Sequence, residues 1–203
     1  ETPMMRYTDA YDRKKRSRMQ SVLAALGEGD LALVSEAGMP GLADPGYELL
    51  ATALERGVPI EAVPGPTALG AALAVAGISS ARFVFLGFLP RSAGARRALL
   101  DSMAESPFAL VAYESPHRLM ATLADLDHLF GERPMAVVNE LTKLYEGTNR
   151  GTAAELLDHY REHRPRGEFT LVIAPAAREE AEAYPEPQDE MEPSHEAEDA
   201  PSP

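Results

Sequence analysis

Residues 31–68 read LALVSEAGMPGLADPGYELLATALERGVPIEAVPGPTA, and this stretch decides the fold prediction for the chain. It contains two loops rich in proline and glycine, at residues 35–46 and 64–68, and each follows an apolar run typical of a strand and precedes a helical pattern. Open α/β sheets bind ligands at loops beyond the carboxyl ends of their parallel strands. Two tight strand–helix connections without a ligand would give the same pattern, but two such loops in one βαβ unit favour a ligand cleft.

The chemistry of these two loops suits a ligand that is held by the backbone. Glycine lets a ligand approach the main chain closely, and a helix N-terminus offers N–H groups that have no partner within the helix. Proline is favoured at the first helical position, so we place Pro66 there. This placement leaves the amides of Thr67 and Ala68 free to bind a ligand.

Working outward, helical and strand patterns alternate along most of the chain. We predict helices over 12–26, 47–56, 66–76, 94–104, 117–130 and 152–163, and strands over 31–35, 59–63, 83–88, 108–113, 134–139 and 168–173. Such alternation is typical of an α/β fold, with right-handed crossovers between parallel neighbours. The helix over 66–76 is almost entirely apolar and is expected to be buried on most sides, whereas the helix over 94–104 is expected to turn its arginines to solvent.

Composition excludes several classes of site. The 203 residues include no cysteine, which excludes disulfides and thiolate nucleophiles. No HExxH motif is present, and we predict no metal site. No apolar run approaches the ~20 residues that span a membrane, so we expect a cytoplasmic protein.

Charge is distributed unevenly between the body of the chain and its end. Residues 177–203 hold ten acidic residues, one arginine and five prolines, and therefore carry −9 of the net charge of −13. Low hydrophobicity with high net charge predicts a disordered tail, acting either as a solvated end or as an arm that competes with RNA for basic patches. The remaining residues carry −4 and cluster their cations at 13–18, 91–97 and 161–166, as solvated faces or as phosphate contacts.

Polar turns follow three of the predicted strands in the second half of the chain, at residues 87–91 (GFLPR), 113–118 (YESPHR) and 139–143 (NELTK). If the strands share one sheet, these turns face one cleft. Glu114 and His117 are the candidate acid–base pair, although the simpler interpretation of His117 is a residue that begins a helix. Arg91 and Arg118 stay protonated and are better suited to hold a phosphate or carboxylate. Because the chain has neither GxGxxG nor a Walker A loop, a dinucleotide or nucleoside-triphosphate site is not predicted.

Seven motifs, in this order, resemble the tetrapyrrole-methylase-type methyltransferases: SEAGMPGLADPG, PGPTAL, GFLPR, YESPHR, ELTK, RGT and GEFTLVI. Within that superfamily they are most similar to the bacterial enzymes that methylate a cytidine 2′-hydroxyl in small-subunit (16S) ribosomal RNA. The resemblance covers about residues 20–175. GFLPR and YESPHR separate the ribosomal RNA enzymes from the porphyrin and precorrin methylases.

The resemblance implies two α/β domains, at residues 1–78 and 79–176, with S-adenosylmethionine in the cleft between them and the tail beyond. It also implies a homodimer that acts on ribosomal RNA in the small ribosomal subunit, and in-line attack of a ribose 2′-hydroxyl on the methyl group without a metal. By motif, the cofactor residues are Ala37, Gly38, Met39, Leu42, Thr67, Ala68, Tyr113 and Glu168. The expected RNA-binding residues are Arg91, Arg96, Arg97, Arg118 and Lys143.

The chain departs from the family pattern at Glu36, Met39 and Asn139, where the family usually has Asp, Thr and Arg. Family members also begin with a strand and a proline–glycine–asparagine loop that are not in this sequence. We therefore expect a truncated first domain and an incomplete cofactor cleft, which would make the chain a poor enzyme. The alternatives are a non-catalytic remnant that binds RNA or a partner, and a methyltransferase with a tetrapyrrole substrate.

Overall fold

A computed structural model describes residues 3–8 and 15–176 of the chain. The predicted acidic tail and residues 9–14 of the chain lie outside this described part. In chain order the elements are α1 (Lys15–Leu26), α2 (Tyr47–Glu55), α3 (Ala68–Ala76), β1 (Phe83–Phe88), α4 (Ala93–Ser102), β2 (Ala109–Glu114), α5 (Leu119–Phe130), β3 (Met135–Asn139), β4 (Gly147–Gly151), α6 (Ala153–Glu162) and β5 (Phe169–Ile173).

The five strands form one mixed sheet in the order β1-β2-β5-β3-β4. β1 is parallel to β2, whereas β5 is antiparallel to both β2 and β3, and β4 is antiparallel to β3. It follows that β1, β2 and β3 point the same way and end at the same edge of the sheet. Register confirms this, because Phe169 at the start of β5 lies opposite both Glu114 and Asn139.

Helices cover both faces of the sheet. Because successive strand residues point to opposite faces, Leu110 and Ala112 pack with α4, α5 and α6, while Val111 packs with α3. Ala72 and Ala76 are the fully buried residues of α3, and the rest of this helix is partly or fully exposed. The expectation that this helix is buried on most sides is therefore wrong.

Two predicted strands do not form. Residues 31–35 and 59–63 are irregular, and neither run pairs with a strand in the described part of the chain. Strands are stabilised by ladder hydrogen bonds and cross-strand side-chain pairs, and an apolar run alone supplies neither. Val34 and Val63 are accordingly 71% and 84% exposed.

Three further boundaries differ from the predictions. β4 was not predicted: it lies between the predicted strand over 134–139 and the predicted helix over 152–163, and it forms because the edge of β3 offers a ladder to Gly147–Gly151. α3 begins at Ala68 with Thr67 as its N-cap, so Pro66 precedes the helix instead of starting it. α5 begins at Leu119, after a turn that contains His117.

The remaining helices and strands agree with the predictions within three residues at each end wherever the chain is described. The domain boundary at residue 78 stays a prediction. In the structure, α3 packs against the sheet that was expected to belong to the second domain. Arg150 reinforces this packing, since its Nε donates to the carbonyl oxygen of Ala76 at 2.9 Å.

Candidate functional site

The two proline–glycine loops meet in the structure. Gly38 has φ +72°, and a Cβ added there would lie 3.4 Å from the carbonyl oxygen of Pro66. A Cβ added at Gly65 would lie 3.4 Å from Cγ of Met39. The turn in the first loop is held by Ser35, whose hydroxyl donates to the Ala37 carbonyl at 2.7 Å. The loops therefore form one surface, and glycine is favoured at Gly38 by its left-handed conformation.

This surface continues at the N-terminus of α3. The Thr67 hydroxyl accepts the Gly70 N–H at 3.0 Å, and the phenol oxygen of Tyr113 accepts the Leu69 N–H at 3.1 Å. The amides of Thr67 and Ala68 have no hydrogen-bond partner among the described residues. These two donors are the ones that the sequence predicted to be free, although Thr67 caps the helix where Pro66 was expected to start it.

Tyr113 joins the second half of the chain to this surface. Its ring packs edge-on against Phe85 and Phe88, with centroid separations of 5.0 and 5.5 Å. Burial raises the pKa of Tyr113, and the Asp44 carboxylate adds to the rise while the N–H of Leu69 opposes it. The phenol therefore stays protonated at neutral pH, where it can donate a hydrogen bond but cannot act as a base.

The structure thus brings together most of the expected cofactor residues. Gly38, Met39, Thr67, Ala68 and Tyr113 lie around the N-terminus of α3, and Ala37 belongs to the same loop turn. Among the described residues, no hydrogen bond or ion pair joins the other two to this group: Leu42 is 39% exposed on the loop, and Glu168 precedes β5, where its carboxylate binds Lys143 at 3.3 Å.

The expected acid–base pair is not formed. The side chain of Glu114 is fully buried, and its two oxygens bind the Ser115 N–H, the Arg118 guanidinium and the Thr122 hydroxyl, each at 2.7 Å. His117 is exposed on the turn that follows β2. Three of the roughly four acceptor sites of this carboxylate are used within the protein and the group is buried, so Glu114 does not face a substrate, and it instead anchors this turn to α5.

The expected RNA-binding arginines divide into buried and exposed groups. Arg96 was expected to face solvent, but its side chain is 5% exposed and binds Asp125 at 2.6 Å, so this expectation is wrong. Arg97 binds the other oxygen of Asp125 at 2.6 Å and is 60% exposed. Burial alone would raise the pKa of Asp125, but hydrogen bonds from Arg97 and Arg96 outweigh it and hold this pKa below its usual value. Arg96 therefore supports the fold and cannot reach a phosphate without leaving the core.

The other three expected RNA-binding residues differ in how many of their side-chain donors are already bound within the protein. Arg118 is engaged at all three nitrogens, including a bond from Nη1 to the Leu89 carbonyl at 2.9 Å. Lys143 binds both Glu140 and Glu168, and these hydrogen bonds raise the pKa of its ammonium group. Arg91 is exposed and has no ion-pair partner in the described part of the chain.

Sequence reasoning did not single out Glu140, which organises the end of β3. It has φ +49°, a conformation that is uncommon outside glycine, and its Oε1 accepts the Glu168 N–H at 3.0 Å. The pKa of Glu140 is lowered, first by that N–H and then by Lys143. Glu140 is the first residue of the ELTK motif, but the motif alone does not show that its backbone is left-handed.

The described residues contain no group of three His, Asp or Glu side chains placed to hold a metal ion. His159 and His163 are spaced as HxxxH, a ligand spacing that the composition argument overlooked, but their rings stack with centroids 4.5 Å apart. In the same described part of the chain, no helix is both long enough and apolar enough to cross a membrane.

Comparison with known proteins connects this geometry to curated relatives. One relative is Ribosomal RNA small subunit methyltransferase I of Synechocystis sp., 43% identical over 187 residues, covering 91% of this chain and 66% of the relative. The Thermotoga maritima protein of that name is 40% identical, and the match covers 80% of this chain and 73% of the relative. The Micromonospora olivasterospora protein is 44% identical, with 83% of this chain and 55% of the relative covered. The chain thus spans between about half and three quarters of the length of these relatives.

Solved structures share the fold at lower identity. The methyltransferase CobJ superposes with a TM-score of 0.61 at 21% identity, covering 79% of this chain and 71% of that one. The uroporphyrin-III C-methyl transferase from Thermus thermophilus, complexed with S-adenosyl homocysteine, gives a TM-score of 0.56 at 20% identity, with 80% and 74% covered.

A family model described as Tetrapyrrole (Corrin/Porphyrin) Methylases matches residues 1–157, more than half of the chain. This match, the curated relatives and the shared fold confirm the resemblance that the motifs indicated and the predicted α/β class. The chain belongs to the tetrapyrrole methylase family.

Proposed function

We propose that the chain belongs to an S-adenosylmethionine-dependent enzyme that methylates a cytidine 2′-hydroxyl in small-subunit ribosomal RNA. The observation that carries this proposal is the meeting of the two proline–glycine loops at the N-terminus of α3, beside Tyr113. The relatives named as ribosomal RNA methyltransferases are 40–44% identical to the chain, which supports RNA over a tetrapyrrole as the substrate. The structural neighbours, one of them named as a uroporphyrin-III C-methyl transferase, share only about a fifth of their residues with the chain, so their likeness concerns the fold.

The loop surface fits S-adenosylmethionine by its donors and its shape. This cofactor carries a carboxylate and adenine ring nitrogens that accept hydrogen bonds, and the amides of Thr67 and Ala68 are unpaired donors. Gly38 and Gly65 carry no side chain where the loops meet, so their own backbone is accessible, and the Met39 side chain lies beside Gly65. Met39 replaces the usual hydroxyl donor of the family, and it therefore contributes through its backbone only.

When bound, the cofactor supplies a methyl group on a sulfonium, which the ribose oxygen attacks. The chain contributes alignment. Tyr113 stays protonated and holds α3 through Leu69, so the N-terminus of that helix keeps a fixed position beside β2. Such positioning matters because a misplacement of about 1 Å can lower a rate ~100-fold. Glu114 fixes the turn after β2 through Arg118 and takes no part in proton transfer.

Among the expected RNA-binding cations, Arg91 is exposed beyond the end of β1 without an ion-pair partner in the described residues, and we assign it to an RNA phosphate. Lys143 is exposed near the end of β3 but pairs with Glu140 and Glu168, so we expect it to contribute less. Arg97 and Arg118 add positive charge nearby, but their guanidinium groups are bound to Asp125 and Glu114 within the protein. A homodimer in the cytoplasm, where small ribosomal subunits are found, completes the proposal.

Cofactor binding is tested first by calorimetry with S-adenosylhomocysteine. Gly38→Val adds a side chain beside Pro66 and forces a branched residue into φ +72°, so we expect binding at least tenfold weaker (~1.4 kcal/mol or more). Gly29→Val is the matched control, because nothing lies within 4 Å of a Cβ added at Gly29. Equal affinity of the Gly38→Val protein and the control would place the cofactor elsewhere.

A further inference from the structure

A cleft of about 440 Å³ opens beside the turn that follows β2, and the cofactor proposal does not use it. Its walls are Pro116 and His117 on that turn and residues 164–167 (RPRG), which connect α6 to β5. Both segments lie at the edge where β1, β2 and β3 end, because Glu114 is opposite Phe169 in the ladder. The cleft flanks α5 and α6, whereas the cofactor loops flank α3 on the other face of the sheet.

The cations in this cleft are unpaired. Arg164 and Arg166 are exposed, and neither has a hydrogen bond or an ion pair with any described residue. Arg96, Arg118 and Arg150, by contrast, are each bound to acidic or carbonyl groups. Two free guanidinium groups on either side of Pro165, with the exposed imidazole of His117 opposite, offer donors that are not used by the fold.

The wall that carries these arginines is held in place. Gly167 has φ +81°, and a Cβ added there would lie 2.3 Å from Oε1 of Glu140. The same oxygen accepts the Glu168 N–H at 3.0 Å, and the Glu168 carboxylate is turned toward Lys143. Proline at 165 further restricts the backbone between the two arginines. The segment is therefore fixed on Glu140, and ordering it costs little when a ligand binds.

The lining excludes an apolar ligand and favours an anion with several acceptor oxygens. Arginine presents a planar fork of donors that matches phosphate, and it does so best where the guanidinium has no competing partner. The acidic groups beside the cleft are Glu140 and Glu168, and both are paired with Lys143. The cleft therefore suits a phosphate group.

We propose that Arg164, Arg166 and His117 form a binding site for backbone phosphodiesters of RNA, at the same sheet edge as the cofactor loops but on its other side. This assignment rests on the proposed function for the identity of the nucleic acid. It adds a phosphate contact remote from the reacting ribose, which fixes the register of the RNA without reading its sequence.

The test is fluorescence anisotropy with a labelled single-stranded RNA oligonucleotide, comparing the wild-type chain with an Arg164→Gln/Arg166→Gln variant across a salt series. Each lost contact to single-stranded RNA lowers the salt slope by about 0.7, so we expect a fall of about 1.4 and an affinity at least tenfold lower. An Arg56→Gln/Arg82→Gln variant is the matched control, because it removes two exposed cations, one after α2 and one before β1 at the edge of the sheet opposite the cleft. His117→Ala is expected to weaken binding by a smaller factor.

Two further readouts separate this proposal from the proposed function. Calorimetry with S-adenosylhomocysteine should give equal affinities for the cleft variant and the wild type, since the cleft is distinct from the loops. If the wild type binds no cofactor and the cleft variant still loses RNA binding relative to the control, the cleft assignment stands and the methyltransferase proposal fails.

An RNA affinity and a salt slope that are equal in the cleft and control variants would overturn the assignment. It would also be overturned if the cleft variant lost affinity for inorganic phosphate, or for an acidic peptide of residues 178–203, while its RNA binding stayed at the wild-type level. The site would then belong to free phosphate or to an acidic protein segment.

Discussion

Asp125 and its two arginines allow a prediction whose size follows from burial. Arg96 and Arg97 are neighbours in sequence and bind the same carboxylate, but their side chains are 5% and 60% exposed. Breaking a buried ion pair costs about 3–5 kcal/mol because it leaves a charge in the core, whereas exposed pairs contribute about 0.2–1 kcal/mol. Arg97 still binds Asp125 when Arg96 is removed, so Arg96→Met should cost about 3 kcal/mol, at the lower end of that range.

The matched substitution Arg97→Met should cost less than about 1 kcal/mol, because solvent screens this pair. The assay is urea denaturation followed by circular dichroism, with the free energy of unfolding extrapolated to zero denaturant. Methionine retains most of the apolar stem of each arginine, which limits the comparison to charge and hydrogen bonding. Equal costs for the two substitutions, or a cost for Arg96→Met below that of Arg97→Met, would refute the inference that burial distinguishes them.

Three further predictions concern Glu114, Asp125 and Tyr113. Glu114→Gln should lower the free energy of unfolding by about 2 kcal/mol through the weakened Arg118 contact, while the pH profile of methyl transfer keeps its shape. Loss of transfer at unchanged stability would restore Glu114 as a catalytic residue. Because the folded pKa of Asp125 is below its unfolded value of about 3.9, its contribution is present above that pH and is lost on further acidification. The stability gap between wild type and Asp125→Asn, measured by urea denaturation at stepped pH, should therefore shrink below about pH 4, and a gap that widens there would contradict the assignment. Tyr113→Phe removes the acceptor of the Leu69 N–H and should cost about 1 kcal/mol together with a loss of S-adenosylhomocysteine affinity, whereas wild-type values for both would exclude Tyr113 from the site.

Sequence patterns predicted the second half of the fold well because its strands are continuous buried apolar runs. β2, β3 and β5 are almost wholly buried, and each was expected within one residue of its observed start. β4 has the sequence GTNRG, which carries no strand pattern, and it is a strand because β3 provides the ladder. The runs at 31–35 and 59–63 show the converse, since an apolar pattern without a paired neighbour does not make a strand.

The sequence predicted which backbone N–H groups of the candidate site are free, but it did not predict which charged side chains are paired. The free amides of Thr67 and Ala68 follow from local proline–glycine chemistry, whereas their role in cofactor binding stays a prediction. Arg96 is bound by Asp125, 29 residues away, and no local signal reveals such a partner. A signal for its burial did exist, because Arg96 lies four residues before the buried Leu100 on the same helical face.

The burial of Glu114 could likewise be inferred from its position in a strand. It lies two and four residues after Ala112 and Leu110, which are both buried on the face that packs against α5. The strand period therefore placed the Glu114 side chain in the core, but the YESPHR motif had been interpreted for its chemistry. Periodicity was the better guide to the position of this carboxylate.

The measurement that tests the central claim most directly is methyl transfer to small ribosomal subunits purified from cells that lack the modification. The 203-residue chain is incubated with these subunits and S-adenosylmethionine labelled in its methyl group, and the RNA is digested to nucleosides. We predict label in 2′-O-methylcytidine at a low but measurable rate, with Gly38→Val lower still and Gly29→Val at the level of the unsubstituted chain. Label on a tetrapyrrole added in parallel, or no label on RNA from a chain that binds both cofactor and subunit, would contradict it.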